Sequence, residues 1–224
     1  MSRQILVIGP QRTGTSAVAG VLHHLGVDMG VNPISPNYEY FESDRFIELS
    51  REVCGEWHSP QYHFVPQDWR DRVVGYAQEQ DAKHEVWGGK SPFFSLIGHH
   101  IIPLLENPRV IFTDRDFDAS VTSLHKRERG LQEGVCRHIQ GEAFAANNLS
   151  IKLAVGLGIP SVRVPFDALV DKPAEIVSRI ADFVFEGLDG GSAKQLEAAV
   201  NSIDPHMRRN ESVGNTETRV RRVA

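Results

Sequence analysis

Gln4-Ile-Leu-Val-Ile-Gly-Pro-Gln-Arg-Thr-Gly-Thr-Ser-Ala-Val-Ala-Gly-Val-Leu-His-His-Leu-Gly26 is the stretch whose reading decides the fold. Ile5 to Ile8 form an unbroken apolar run, the pattern of a strand buried on both faces of a parallel sheet. Gly9 to Gly14 turn the chain. Ala17, Val18, Val21, Leu22 and Leu25 then recur at helical spacing, and Gly26 is a C-terminal stop. A strand, a Gly-bounded loop and a helix make a phosphate cradle. Consecutive backbone N–H groups and the positive end of the helix converge where an anion can sit.

The spacing Gly9-x-x-x-x-Gly14-Thr15-Ser16 nearly matches the nucleoside-triphosphate loop G-x-x-x-x-G-K-[ST], but Thr15 stands where that loop has its lysine. A magnesium polyphosphate would lose its main cation there. The loop keeps a different cation, Arg12, two residues before the second glycine.

Further along, the chain alternates. Asp68 is placed to cap a helix carrying Trp69, Val73, Val74 and Ala77. Glu85-Val86-Trp87 reads as a short strand leading into a loop at Gly88-Gly89-Lys90-Ser91-Pro92. Phe93 to Leu105 reads as a helix broken near Pro103, and Arg109 to Thr113 as the next buried strand. Asp116 is placed to cap a helix reaching about Gly130. A helix is expected between Val135 and Val155, a strand at Ser161–Val164, and a helix starting at Pro173. Strand–helix alternation implies an α/β fold with a central parallel sheet, right-handed crossovers and helices on both faces. Ligands of such sheets bind past the carboxyl ends of the strands. Arg12, Lys90 and Arg115 follow three of those ends, and three cations gathered on one edge call for a polyanion.

Composition narrows the classes. The chain has 224 residues, 41% hydrophobic and 24% charged, which suits one soluble domain large enough for a full sheet. The net charge of −5 argues against a nucleic-acid coat and against an anionic membrane surface. The two cysteines, Cys54 and Cys136, have neither metal spacing nor a disulfide framework, and a reducing, cytoplasmic setting fits them. No signal peptide and no run of membrane length is present in the sequence, so membrane insertion is not expected.

Arg12-Thr13-Gly14-Thr15-Ser16 resembles the first motif, basic-[ST]-G-T-[ST], of sulfotransferases that use 3′-phosphoadenosine 5′-phosphosulfate (PAPS). Arg115 and Ser123, eight residues apart, resemble that family's strand-end Arg and helix Ser, which hold the 3′-phosphate. Two helical turns put them on roughly the same side, where a guanidinium and a hydroxyl can grip one phosphate. Taken alone they also read as a surface Arg and a helix-face Ser. Lys90, in Gly89-Lys90-Ser91-Pro92, resembles the Lys-[ST]-Pro segment whose lysine reaches the sulfuryl group; a solvated loop lysine is the plain alternative. Glu42, in Tyr40-Phe41-Glu42, falls at an aromatic-Glu element of many bacterial members. There it can take the acceptor's proton, or simply favour the N-terminus of the next helix. His99 and His100 are rival bases, with His23 and His24 behind them. Val164 to Pro173 resembles a late strand–helix segment of the family.

The resemblance implies a three-layer fold like that of the P-loop nucleoside triphosphate hydrolases, as one sulfotransferase domain over 1–205. An Arg-rich tail, 206–224, is left in which Arg208 folds over the nucleotide or stays in solvent. It implies a donor site at Gly9, Arg12, Thr13, Gly14, Thr15, Ser16, Arg115, Ser123 and Arg208. In it, N–H groups of 13–16 hold the phosphosulfate and Thr15 and Ser16 add hydroxyls. Catalysis falls to Arg12, Lys90 and Glu42, with 3′,5′-ADP as product and no required metal. The acceptor is a hydroxyl or amine of a small molecule, lipid or carbohydrate. Residues 54–85 and 131–160 match nothing in the family pattern and are where acceptor specificity is expected. A small-molecule kinase is the rival reading, with Asp114 on magnesium.

Overall fold

The structure is a computed structural model that describes residues 2–31, 40–55 and 65–204. Strand β1 (Arg3–Ile8) is central. It is followed by helices α1 (Thr15–His24), α2 (Asp44–Cys54) and α3 (Gln67–Asp81), then β2 (Val86–Lys90) and α4 (Phe94–Ile101). Next come β3 (Pro108–Asp114), α5 (Phe117–Arg127), α6 (Glu133–Gly156) and β4 (Ser161–Pro165). Helices α7 (Phe166–Asp171), α8 (Pro173–Phe185) and α9 (Ala193–Asn201) close the described chain. The four strands pair in the order β2-β1-β3-β4, all parallel.

The apolar run of β1 explains the layers. Side chains alternate across a strand. Leu6 and Ile8 face a core built with α2, α3, α4 and α6, while Ile5 and Val7 face one built with α1, α8 and α9. All four are fully buried, each stabilising the fold by about 2 kcal/mol. The expected three-layer α/β architecture is what forms.

Local signals act where chemistry requires them. Gly26, at φ 94°, ends α1: its N–H donates to the His23 carbonyl and that of Val27 to Leu22, a Schellman pair. The Asp116 carboxylate accepts from the Ala119 N–H and caps α5. Pro173 opens α8, and Pro103 lies in a 3-10 turn, Ile102–Leu104, that ends α4.

Two expectations are corrected. Pro66, not Asp68, stands at the N-cap of α3, and Asp68 sits in its first turn as a partner for Arg72 at 3.6 Å. The segment expected to be a loop after 85–87 is strand: β2 runs through Gly88 and Gly89 to Lys90. The glycines are there for space. Phe46 meets Phe94 and Tyr76 edge-on at 5.0 and 4.9 Å, and a Cβ on Gly89 would stand 2.7 Å from its Cδ2 atom. A Cβ on Gly88 would crowd the Ile5 carbonyl at 3.0 Å. The tail 206–224, with Arg208, lies outside the described residues.

Helix α6, in the stretch expected to build acceptor specificity, packs on α4 and α5. It buries Cys136, Ile139, Ala143 and Ala154. Among the described residues no helix is long and apolar enough to cross a membrane. Gly89→Ala forces a methyl into the Phe46 ring. It is expected to destabilise the domain by about 1–3 kcal/mol, read as a lower urea midpoint with an unchanged slope.

Candidate active site

Register brings the carboxyl ends of the strands to one edge of the sheet. Val7 of β1 pairs with Lys90 on one side and Ile111 on the other. The chain moves from β1 to β2 and then crosses back over β1 to β3. This is a topological switch point, and a crevice opens past it.

The loop 9–14 fills the head of that crevice. A Cβ on Gly9 would collide with the Thr113 hydroxyl, so the loop leaves β1 pressed against β3. Thr13 is fully buried. Its hydroxyl donates to the Pro10 carbonyl at 2.6 Å and meets Thr113 Oγ1 at 2.7 Å. Its N–H also points to the Pro10 carbonyl, at 3.4 Å. Thr13 therefore belongs to the frame of the loop, and the expectation that its N–H faces the anion gives way. Arg12 and Gly14 take positive φ, 64° and 93°, which curls the loop into a concave nest. The first intrahelical bond of α1 is Val18 N–H to the Gly14 carbonyl, and no side chain caps the helix. The N–H groups of Thr15, Ser16 and Ala17 thus open into the crevice without intrahelical acceptors.

Two polar groups flank the nest. On the β3 side, Arg12 Nε donates to Ser123 Oγ at 3.0 Å, and Arg115 Nη1 donates to the Arg12 carbonyl at 3.0 Å. Arg115 also lies over the Phe166 ring, 4.5 Å from its centroid. Burial, Arg127 and Arg115 together push the Arg12 pKa down. On the β2 side, Lys90 ends its strand almost wholly buried, forms an ion pair with Glu42 and donates to Ser16 Oγ at 3.1 Å. Burial lowers the Lys90 pKa, and Glu42 opposes that shift.

Gly9, Arg12, Gly14, Thr15, Ser16, Glu42, Lys90, Arg115 and Ser123 all line one cavity of about 1060 Å³. Among the described residues, six cationic side chains and two carboxylates, Glu42 and Glu128, stand in its wall, although the chain is acidic overall. His99 and His100 do not line it; their rings lie tilted against each other, centroids 4.1 Å apart, at the end of α4. Of the histidines singled out from the sequence, the wall holds His24. Asp114 is exposed and stands outside the wall. Among the described residues no three His, Cys, Asp or Glu side chains form a cluster suited to a metal.

Sequence reasoning passed over Tyr40, Arg127 and Phe166 as site residues. Arg127 lies four residues beyond Ser123, one helical turn further on the same face, and that spacing was a usable signal. Tyr40 stands near a cation of each flank, with Arg127 at 5.4 Å and Lys90 at 6.0 Å from its ring. Nothing local marks that contact.

Glu42→Gln would strip a buried ammonium of its counter-ion, at a cost of about 3–5 kcal/mol near neutral pH. A lysine whose folded pKa lies below its ordinary 10.5 binds protons more weakly than in the unfolded chain, so stability rises with pH up to that value. Without Glu42 the Lys90 pKa falls further. Chemical unfolding at about pH 7 and about pH 10 is expected to show the deficit of the variant shrinking at the higher pH.

No family model matches the chain, and no curated protein matches it in sequence. Solved structures do resemble it. The sulfotransferase STF9 from Mycobacterium avium superposes with a TM-score of 0.55 at 14% identity, over 89% of this chain and 67% of that one. The sulfotransferase domain of the olefin synthase from Synechococcus PCC 7002 gives 0.51 at 16% identity, over 93% of this chain and 82% of that one. With a parallel sheet, a Gly-bounded loop after its central strand and helices on both faces, the chain has the P-loop-like fold of these sulfotransferases.

Proposed function

We propose that the protein is a PAPS-dependent sulfotransferase acting on a hydroxyl or amine. The observation that carries this reading is the pairing of an open amide nest with Arg12, Arg115 and Ser123 on one flank and Lys90 with Glu42 on the other. The cavity fits the donor in charge. A phosphate monoester and a phosphosulfate together bring roughly four negative charges, and among the described residues the wall has six cationic side chains against two carboxylates. The donor supplies a sulfuryl group, and 3′,5′-ADP remains when that group is gone.

Arg115 and Ser123 grip the 3′-phosphate, and Arg12, already turned onto Ser123, shares that clamp. The N–H groups of Thr15 and Ser16 and their hydroxyls hold the phosphosulfate. Lys90 lies beside Ser16 and offsets charge that grows on the bridging oxygen as the S–O bond breaks. Glu42 receives the proton that the acceptor oxygen or nitrogen gives up as it bonds to sulfur. An incoming anion gives Lys90 a second anionic partner and loosens its hold on Glu42, which frees the carboxylate for that proton. A sulfuryl group has less negative charge than a phosphoryl group, so side-chain cations serve where kinases use magnesium. The kinase reading is the weaker one, because Asp114 stands outside the cavity wall and the loop lysine is absent.

The acceptor is a small molecule, lipid or carbohydrate that enters beside Tyr40, Phe41 and Phe93. Two buried, unpaired thiols fit a cytoplasmic setting, with burial pushing the Cys54 pKa up to about 12. Calorimetric titration with 3′,5′-ADP, 5′-ADP and ATP, each with and without magnesium, tests the proposal. The expected result is metal-independent binding that requires the 3′-phosphate, weakened about 10- to 100-fold by Arg115→Gln. A preference for magnesium–ATP would overturn it.

A further inference from the structure

We infer that Gln140, in the middle of α6, is a positioning residue for the donor cradle; the inference rests on the donor reading above. Gln140 is fully buried and lies outside the cavity wall. Its Nε2 donates to the Gln11 carbonyl at 2.8 Å and lies 3.4 Å from the Ser120 carbonyl. Two facing acceptors require the nitrogen on that side of the amide, since an oxygen there would oppose both. The other end, Oε1, has no hydrogen-bond partner among the described residues. Buried acceptors are rarely left in that state. The side chain gives up one hydrogen bond in order to make these contacts.

The contact acts on the nest through the peptide plane. The Gln11 carbonyl and the Arg12 N–H belong to one planar trans unit and point in opposite directions. Drawing the carbonyl back toward α6 turns the Arg12 N–H the other way and holds Arg12 at its positive φ. Nothing in the Arg12 side chain favours that backbone region. The same amide reaches Ser120, one turn before Ser123 on α5. Gln140 thus ties the loop bearing Arg12 to the helix bearing Ser123, the two residues joined at 3.0 Å. It touches no ligand and works through the spacing of the groups that do.

Replacing Gln140 by methionine keeps the length of the side chain, removes the donor and also removes the unpaired oxygen. A role confined to packing predicts little change in nucleotide preference. A positioning role predicts that the variant folds as stably as the parent and loses discrimination for the 3′-phosphate. The measurement is the ratio of dissociation constants for 5′-AMP and 3′,5′-ADP by calorimetry, alongside the thermal midpoint. The ratio is expected to fall about tenfold in Gln140→Met, because small displacements of binding groups have effects of that size or larger. In a Ser123→Ala background the same change is expected to add little, since both act on one clamp. A parent ratio near one overturns the donor reading and this inference with it. A high parent ratio that Gln140→Met leaves untouched overturns this inference alone. Failure of both Gln140→Met and Gln140→Leu to fold assigns Gln140 to the fold at large and also overturns it.

Discussion

Three parallel strands ending on one edge, with the loop-bearing one in the middle, is the constraint on which the rest depends. Because β1 lies between β2 and β3, Lys90 and Arg115 emerge on either side of the loop that follows Ile8. A different strand order would leave the same residues at the same strand ends and scatter them. The buried run Ile5–Ile8 is what places β1 at the centre, since a strand covered on both faces has no polar side to show water. The chemistry of the crevice is thus a consequence of how apolar side chains sort themselves.

The crevice stores electrostatic tension in two forms. On the β3 flank, guanidinium groups crowd one another, and burial with mutual repulsion holds the Arg12 pKa down. On the β2 flank, a buried ammonium is kept charged by a single carboxylate. An isolated buried ion pair is a weak source of stability, because desolvation offsets most of the attraction. On the proposed donor reading, an arriving anion would relieve the repulsion and give the ammonium a second anionic partner. The strain at Arg12, a non-glycine residue at φ 64°, belongs to the same design: backbone strain of this kind collects where function over-determines the geometry.

Packing around the site is equally specific. Gly89 makes room for Phe46, which anchors α2 just after Glu42, and so the aromatic cluster sets where the carboxylate meets Lys90. Phe166 closes over Gly14 and under Arg115, joining β4 to the loop. Helix α6 packs on α4 and α5 and reaches the loop through the Gln140 side chain, which donates to the Gln11 carbonyl.

The sequence by itself determined the parts that depend on neighbours in the chain. The strand–loop–helix cradle, the stop at Gly26, the cap at Asp116 and the eight-residue interval from Arg115 to Ser123 are all local, and local periodicity and turn chemistry are legible in one dimension. Only the tertiary structure decided that Lys90 ends a strand rather than standing in a loop, that it pairs with Glu42, and that Arg12 leans onto Ser123. It also turned Thr13 inward, left His99 and His100 away from the cavity, and brought Gln140 to the loop from 129 residues along the chain. Those outcomes depend on contacts between distant segments. A glycine pair reads as a turn until a phenylalanine from another helix is known to need its space, and a buried lysine reads as solvated until its carboxylate arrives. Distance along the chain hides such pairs because their energy comes from shared burial, which no single segment shows.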